Sequence, residues 1–149
     1  MCSSDLCTCG YDRIVVENSS SNAGSARHIV AAVDDDYRVR ESIESLVASA
    51  GHTPLVFASA EEFLRSGAPA SAICLITDVR MPGIDGLELQ RRVRLQRPGL
   101  PVIFITAHYD DEIRQRALSQ GAAGFLYKPF DAADLLGAIE LALRKSPED

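Results

Sequence analysis

Apolar residues occur along this chain in two alternating patterns, short unbroken runs and longer stretches with helical spacing. The five runs are apolar almost throughout and occupy His28–Val33, Pro54–Phe57, Ile73–Thr77, Val102–Thr106 and Gly124–Tyr127. A strand with one face in water would alternate between apolar and polar residues, whereas continuous runs are typical of parallel strands covered on both faces. The pattern therefore predicts five buried parallel strands.

Between these runs, apolar residues recur every three or four positions, as on one face of a helix. The first such stretch begins near Val39 and ends at Gly51, a suitable residue for a helix C-cap. Ser59 with Glu62 is a capping-box pattern, and Asp85 similarly precedes a helical stretch. The remaining predicted helices cover 59–67, 85–96, 110–120 and 131–144.

Five strands alternating with five helices predict an α/β fold with a doubly wound parallel sheet. In such sheets the functional crevice lies at the carboxyl ends of the strands. The residues that end each strand are therefore the first candidates for chemistry.

Polar residues stand at four of these strand ends. Asp34 and Asp35 follow the first strand, Asp78 follows the third, Thr106 ends the fourth and Lys128 follows the fifth. Parallel strands bring all of these residues to one edge of the sheet. Three carboxylates, a hydroxyl and an amine are therefore expected to converge.

Clustered carboxylates repel one another unless a positive charge lies among them. Mg²⁺ bound through a few carboxylates and waters meets this need. A metal ion and a lysine around a further carboxylate form a site for a phosphoryl group, whose charge is spread over its oxygens. Asp78, central among the strand ends, is then the expected nucleophile.

From His28 to about Arg144 the chain resembles a response-regulator receiver domain of the two-component systems, in the FixJ-like branch. The resemblance is carried by "VDDDYRVRESI", "DVRMPGIDGLEL", "FITAH" and "LYKPF", which occur separately and in the family's order. It implies a flavodoxin-like sheet of five parallel strands in the order 2-1-3-4-5.

The resemblance also implies a role for each strand-end residue. Asp78 is the expected phosphoacceptor, and Mg²⁺ is expected at Asp34, Asp35, Asp78 and the backbone carbonyl of Arg80. Thr106 and Lys128 are expected to contact the phosphoryl oxygens. The Lys128–Pro129 bond is predicted to be cis, in a turn that brings the lysine back over the site.

Three further positions are implied to tune the domain. Phe125 corresponds to the aromatic residue that acts with Thr106 as a switch, and as a phenylalanine it has no hydroxyl to bond. Arg80 and His108 lie two residues after the phosphoacceptor and the switch threonine. They are expected to control access of water to the acyl phosphate and so to set the lifetime of the phosphorylated state.

The implied partners are a sensor histidine kinase and a downstream protein. The switching face is expected at the fourth predicted helix, the fifth strand and the fifth predicted helix, through which a homodimer can also form. A receiver promotes its own phosphorylation and dephosphorylation but turns over no external metabolite, so it is not classed as an enzyme.

Three functions are weighed. The sequence ends at "RKSPED", soon after the last predicted helix, which favours a single-domain receiver that controls a partner protein. The alternative is the amino-terminal receiver of a DNA-binding transcription factor whose output domain is absent. An aspartyl-nucleophile phosphatase needs an acid two residues after the nucleophile, where this chain has Arg80.

Length, charge and hydropathy limit the number of domains, the partners and the location to be expected. The chain has 149 residues, enough for one domain. Its net charge of −6 does not favour direct binding to nucleic acid, which is itself negatively charged. There is no apolar run long enough for a membrane span and no secretory signal, so a cytoplasmic location is expected.

The domain boundaries follow from a change of composition at His28. Residues 1–27 are polar and predict a flexible tail, residues 28–145 the receiver domain, and residues 146–149 a short carboxyl-terminal tail. Cys2, Cys7 and Cys9 lie in the first tail, but no second Cys/His pair completes a zinc site.

Overall fold

A computed structural model describes residues 28–145, in which five parallel strands form one sheet. The strands pair in the order β2-β1-β3-β4-β5. This confirms the predicted order. The predicted tails and their three cysteines lie outside the described residues. The strands are β1 Ile29–Val33, β2 Thr53–Phe57, β3 Ala72–Asp78, β4 Val102–Thr106 and β5 Gly124–Tyr127.

The described part of the chain has six helices, one more than predicted. The added helix is a single turn with Gly67 as its N-cap, at a φ of 84°, and a proline in its first turn. Proline suits the first turn of a helix, but four residues are too short to show an apolar period. The helices are α1 Tyr37–Ser49, α2 Ala60–Arg65, α3 Ala68–Ser71, α4 Gly86–Gln96, α5 Asp111–Ser119 and α6 Ala132–Lys145.

Short polar side chains fix where four of the helices begin. Asp36, Ser59, Asp85 and Asp110 each accept a hydrogen bond from a backbone N–H in the first turn that follows. These bonds satisfy donors that a helix start leaves free. The predicted starts at Ser59 and Asp85 are confirmed, and the four caps set the lengths of the loops that follow β1, β2, β3 and β4.

The sheet separates two apolar layers, as continuous apolar strands require. Leu75 and Phe104 pack on one face, while Ile76, Ile103 and Ile139 pack on the other. In the described part of the chain, no helix is both long enough and apolar enough to cross a membrane.

Cys74 lies within β3 and is fully buried. Burial raises the pKa of its thiol to about 12. Because the thiolate is the reactive form, this cysteine is chemically inert near neutral pH.

Two histidines face each other at the opposite edge of the sheet, where β1 and β2 begin. The rings of His28 and His52 are stacked with centroids 6.1 Å apart. Burial lowers the pKa of His52, and the neighbouring His28 lowers it further. The folded protein therefore favours a neutral imidazole at His52.

This histidine pair predicts a loss of stability in mild acid. Below the ordinary histidine pKa of about 6.5, the unfolded chain binds more protons than the folded chain, so the free energy of unfolding falls as pH decreases. In His52→Gln the free energy of unfolding should depend less steeply on pH between about pH 5 and 7. Urea unfolding at several pH values measures this, and an unchanged slope in the variant would contradict the assignment.

Candidate functional site

Asp34 directly follows β1, the strand between β2 and β3, and is fully buried. Its backbone N–H donates to the carbonyl of Phe57 at 3.1 Å. Its Oδ1 accepts from the backbone N–H of Asp36 at 2.8 Å, and its carbonyl accepts from Nη1 of Arg40 at 2.8 Å. These bonds fix the carboxylate at the carboxyl edge of the sheet.

Asp78 is the last residue of β3, and only 7% of its surface is exposed. The next residue, Val79, still donates to the carbonyl of Ile105 at 3.1 Å, so the backbone stays in register past the strand end. The backbone N–H of Arg80 lies 3.4 Å from Oδ1 of Asp78. The carboxylate is therefore held at the edge while it keeps a narrow opening to solvent.

Two glycines shape the loop that follows Asp78. Gly83 has a φ of 76°, a left-handed conformation that favours glycine. Gly86 lies against the strand end, because a Cβ on it would come within 2.2 Å of the Asp78 carbonyl oxygen. Its N–H donates to the carbonyl of Val79 at 2.9 Å. Only a residue without a side chain allows this close approach.

Asp34, Asp35 and Asp78 form the predicted acidic cluster. One carboxylate oxygen from each lies within 4.8 Å of the others. Asp35 is exposed, whereas the other two are buried. Three hard oxygen donors with one side open to water fit a divalent cation such as Mg²⁺, which keeps several of its waters.

Lys128 bridges the two buried acids. Its Nζ donates to Oδ2 of Asp34 at 2.8 Å and to Oδ2 of Asp78 at 3.3 Å. Burial lowers the pKa of Lys128, but the hydrogen bonds and charges of Asp34 and Asp78 outweigh this and raise it above the usual value. The lysine therefore stays protonated at the site. The Lys128–Pro129 bond is cis, as predicted.

The pKa of Asp78 is raised above that of an ordinary aspartate. Burial is the main cause, and the negative charge of Asp34 adds to it. The ammonium of Lys128 opposes both effects. The result is a more basic carboxylate than one in water, held beside a permanent positive charge.

The two residues predicted to act as a switch lie on adjacent strands. Thr106 is 2% exposed, and its Oγ1 accepts from the backbone N–H of His108 at 3.1 Å. Its carbonyl accepts from the backbone N–H of Lys128 at 2.8 Å. The half-buried ring of Phe125 lies 6.1 Å from that of Phe104. In this arrangement the Thr106 hydroxyl is hydrogen-bonded within its own loop.

Arg80 and His108 stand on the solvent side of the site, and both are exposed. Arg80 Nη2 lies 3.9 Å from Oδ2 of Asp110, the cap of α5. An exposed pair at this distance contributes little stability. The ion pair nonetheless connects the loop after β3 with the loop after β4.

Sequence reasoning missed two acidic residues around the site. Glu61 of α2 places Oε2 3.4 Å from the backbone N of Ile84, in the loop after β3. Asp110 pairs with Arg80 as described. Neither contact has a local signal in the sequence, because each joins two segments that are far apart along the chain. Glu61 and Ile84 are 23 positions apart, and Arg80 and Asp110 lie on either side of β4.

Comparison with known sequences gives a consistent result. Residues 30–140 match the response regulator receiver domain. The chain is 42% identical to the transcriptional regulatory protein FixJ of Azorhizobium caulinodans over 119 residues, which are 80% of this chain and 56% of FixJ. It is 42% identical to the response regulator protein TmoT of Ectopseudomonas mendocina over 80% of this chain and 54% of TmoT. The chain thus spans about half the length of these relatives.

Solved structures agree with the sequence comparison. The chemotaxis protein CheY4 of Vibrio cholerae superposes with a TM-score of 0.74 at 31% identity, covering 79% of this chain and all of CheY4. Full-length FixJ from B. japonicum superposes with a TM-score of 0.73 at 35% identity, covering 83% of this chain and 61% of FixJ. The fold, the match over residues 30–140 and these likenesses together show that the chain belongs to the response regulator receiver domain family of two-component systems.

Proposed function

We propose that Asp78 accepts a phosphoryl group from a sensor histidine kinase in the cytoplasm. The observation that carries this proposal is the position of its carboxylate. It lies at the end of a central strand, with the ammonium of Lys128 at 3.3 Å and two other acids alongside. Intact-mass measurement after incubation with acetyl phosphate and Mg²⁺ tests the proposal, with a phosphoryl adduct as the expected result.

In the proposed step an Asp78 carboxylate oxygen attacks the phosphorus of a phosphohistidine. The new O–P bond forms as the N–P bond breaks, and the leaving imidazole nitrogen keeps the electron pair of that bond and takes up a proton from water. We expect Lys128 to hold one of the phosphoryl oxygens and the Thr106 hydroxyl, whose oxygen accepts from the His108 N–H, to donate to another. Bound Mg²⁺ would supply further positive charge to the equatorial oxygens.

Asp34, Asp35 and Asp78 are the side chains proposed to hold Mg²⁺, with the backbone carbonyl of Arg80 as a fourth ligand. We expect Asp35→Ala to weaken Mg²⁺ binding at least tenfold, about 1.4 kcal/mol, because it removes one of three converging carboxylates. Titration of Mg²⁺ against the parent and variant measures this. Asp36→Asn is the matched control, since asparagine also caps α1. Equal affinity in Asp35→Ala would contradict the proposed ligand set.

The signal is proposed to leave the site through the α5–β5–α6 face, formed by Asp111–Ser119, Gly124–Tyr127 and Ala132–Lys145. This proposal is supported by the direct pairing of a site residue with a residue of the face. Thr106 pairs with Tyr127 in the sheet, and the ring of Phe125 lies two residues earlier on the same edge strand. The face would control a downstream protein or form a homodimer, without direct contact to nucleic acid. Sedimentation of the phosphorylated and unphosphorylated chain distinguishes these two outcomes.

A single-domain regulator is the first candidate for the whole protein. The second candidate is the receiver part of a transcription factor, favoured by the relatives named as a transcriptional regulator and a response regulator, of which the chain covers about half. Intact mass of the native protein from its own cells separates the two. A species with the mass of this chain supports the first, and a heavier one supports the second.

Arg80 and His108 are proposed to set the lifetime of the phosphorylated state. Both are exposed, Arg80 in the loop after Asp78 and His108 in the loop after Thr106. Arg80 can bind two phosphate oxygens at once, and His108 can orient water. Replacing both with alanine should leave phosphorylation by acetyl phosphate intact. The hydrolysis rate should change severalfold, which needs only about 1 kcal/mol in the barrier. Decay of the adduct followed by intact mass gives the rate, and a time course equal to the parent's would contradict the proposal.

A further inference from the structure

Tyr109 lies in the loop between β4 and α5 and is 77% exposed, yet its ring is not free in solvent. It stacks on the ring of Tyr127 with the centroids 4.1 Å apart and the planes within 5°. Tyr127 ends β5 and directly precedes Lys128. The stack therefore attaches the loop after β4 to the strand that carries the lysine of the site.

The stacked pair is the outer end of a row of four rings. Tyr127 meets Phe125 edge to face with centroids 5.5 Å apart, and Phe125 lies 6.1 Å from the fully buried Phe104. Each aromatic contact of this kind adds to the stability that burial alone provides. The row connects the exposed loop to the core through Phe125, the aromatic residue of the proposed switch.

The same loop holds the Thr106 hydroxyl. The backbone N–H of His108, the residue before Tyr109, donates to Oγ1 of Thr106 at 3.1 Å. A hydroxyl that moves toward a phosphoryl group on Asp78 either loses this bond or draws His108 along with it. A displacement of His108 carries Tyr109 with it, because the two are consecutive, and so works against the stack.

We propose that Tyr109 is a positioning residue for the phosphorylation of Asp78, because its stack on Tyr127 holds the loop in the position that retains the Thr106 hydroxyl. This inference rests on the proposed function of Asp78. The stack favours the resting arrangement, and its loss lowers the cost of moving Thr106 toward the phosphoryl group. Tyr109 therefore slows activation without touching the reacting atoms.

The test compares Tyr109→Ala with Tyr109→Phe, which keeps the ring and removes only the hydroxyl. Phosphorylation by acetyl phosphate, followed by intact mass, should be about fivefold faster in the alanine variant, equivalent to about 1 kcal/mol. The phenylalanine variant should match the parent. Tyr37→Ala is the control, because Tyr37 is also an exposed tyrosine but hydrogen-bonds to Glu41 and lies on α1.

A second measurement reports the loop directly. The amide resonances of His108 and its neighbours in unphosphorylated Tyr109→Ala should shift toward their positions in the parent bound to a phosphoryl mimic such as beryllofluoride. Equal rates in parent and alanine variant, or a phenylalanine variant as fast as the alanine variant, would overturn the role of the stack. A parent that gains no adduct would instead refute the proposed function, and unshifted resonances would refute the stack's role alone.

Discussion

Replacing Asp78 with asparagine is expected to abolish formation of the phosphorylated protein. An amide has nearly the shape of the carboxylate but is a poor nucleophile and carries no negative charge. The variant should fold, since the amide oxygen can still accept from Lys128, whose Nζ lies 3.3 Å from Oδ2 in the parent. Intact mass after incubation with acetyl phosphate and Mg²⁺ should show the adduct in the parent and none in the variant.

The control for this experiment is Asp36→Asn, two residues beyond Asp34. Asp36 caps α1 through a 2.9 Å bond from the backbone N–H of Arg38, and asparagine caps equally well. This variant should be phosphorylated like the parent. An adduct that persists in Asp78→Asn at the parent's level would place the acceptor on another residue.

Replacing Gly86 with alanine should destabilise both the fold and the site. The new Cβ would lie 2.2 Å from the carbonyl oxygen of Asp78 and 3.0 Å from Cα of Val79. Both contacts are with backbone, so the start of α4 or the end of β3 must move. We expect the free energy of unfolding to fall by about 1–3 kcal/mol, the usual cost of overpacking. Mg²⁺ binding should weaken as well, because Asp78 is displaced.

Gly137→Ala provides the matched comparison. Gly137 is exposed within α6, and a Cβ on it meets nothing within 4 Å. Alanine favours a helix over glycine by about 1 kcal/mol, so this variant should gain stability. Urea unfolding measures the free energy of unfolding, which should fall in Gly86→Ala and rise in Gly137→Ala. A Gly86→Ala protein as stable as the parent would show that the loop after β3 adapts without cost.

Most of the sheet and the central site could be predicted because both depend on patterns local to each strand. A continuous apolar run ending in Asp34 or Asp78 predicts a buried strand and a carboxylate at its end. Parallel pairing then brings these ends together whatever their separation in sequence. The cluster of three acids with Lys128 follows from that geometry.

The features that could not be predicted depend on contacts between loops from different parts of the chain. Glu61 reaches the N–H of Ile84, and Tyr109 stacks on Tyr127, but neither pair has a fixed spacing that a pattern could reveal. Phe125 and Tyr127 differ in this respect. They are two residues apart on one strand and therefore share a face, so their contact could have been expected from alternation.

The hydrogen bond from Lys128 to Asp34 spans 94 positions, nearly the whole described chain. Closing a loop of this length costs chain entropy, so we expect this contact to form after the local contacts of each strand and helix. A nascent chain still on the ribosome before β5 has emerged can build β1 and β3 but has no ammonium between their acids. We therefore expect a histidine kinase to leave chains that lack a folded β5 unphosphorylated, so that the capacity for phosphoryl transfer also reports that the whole sheet has formed.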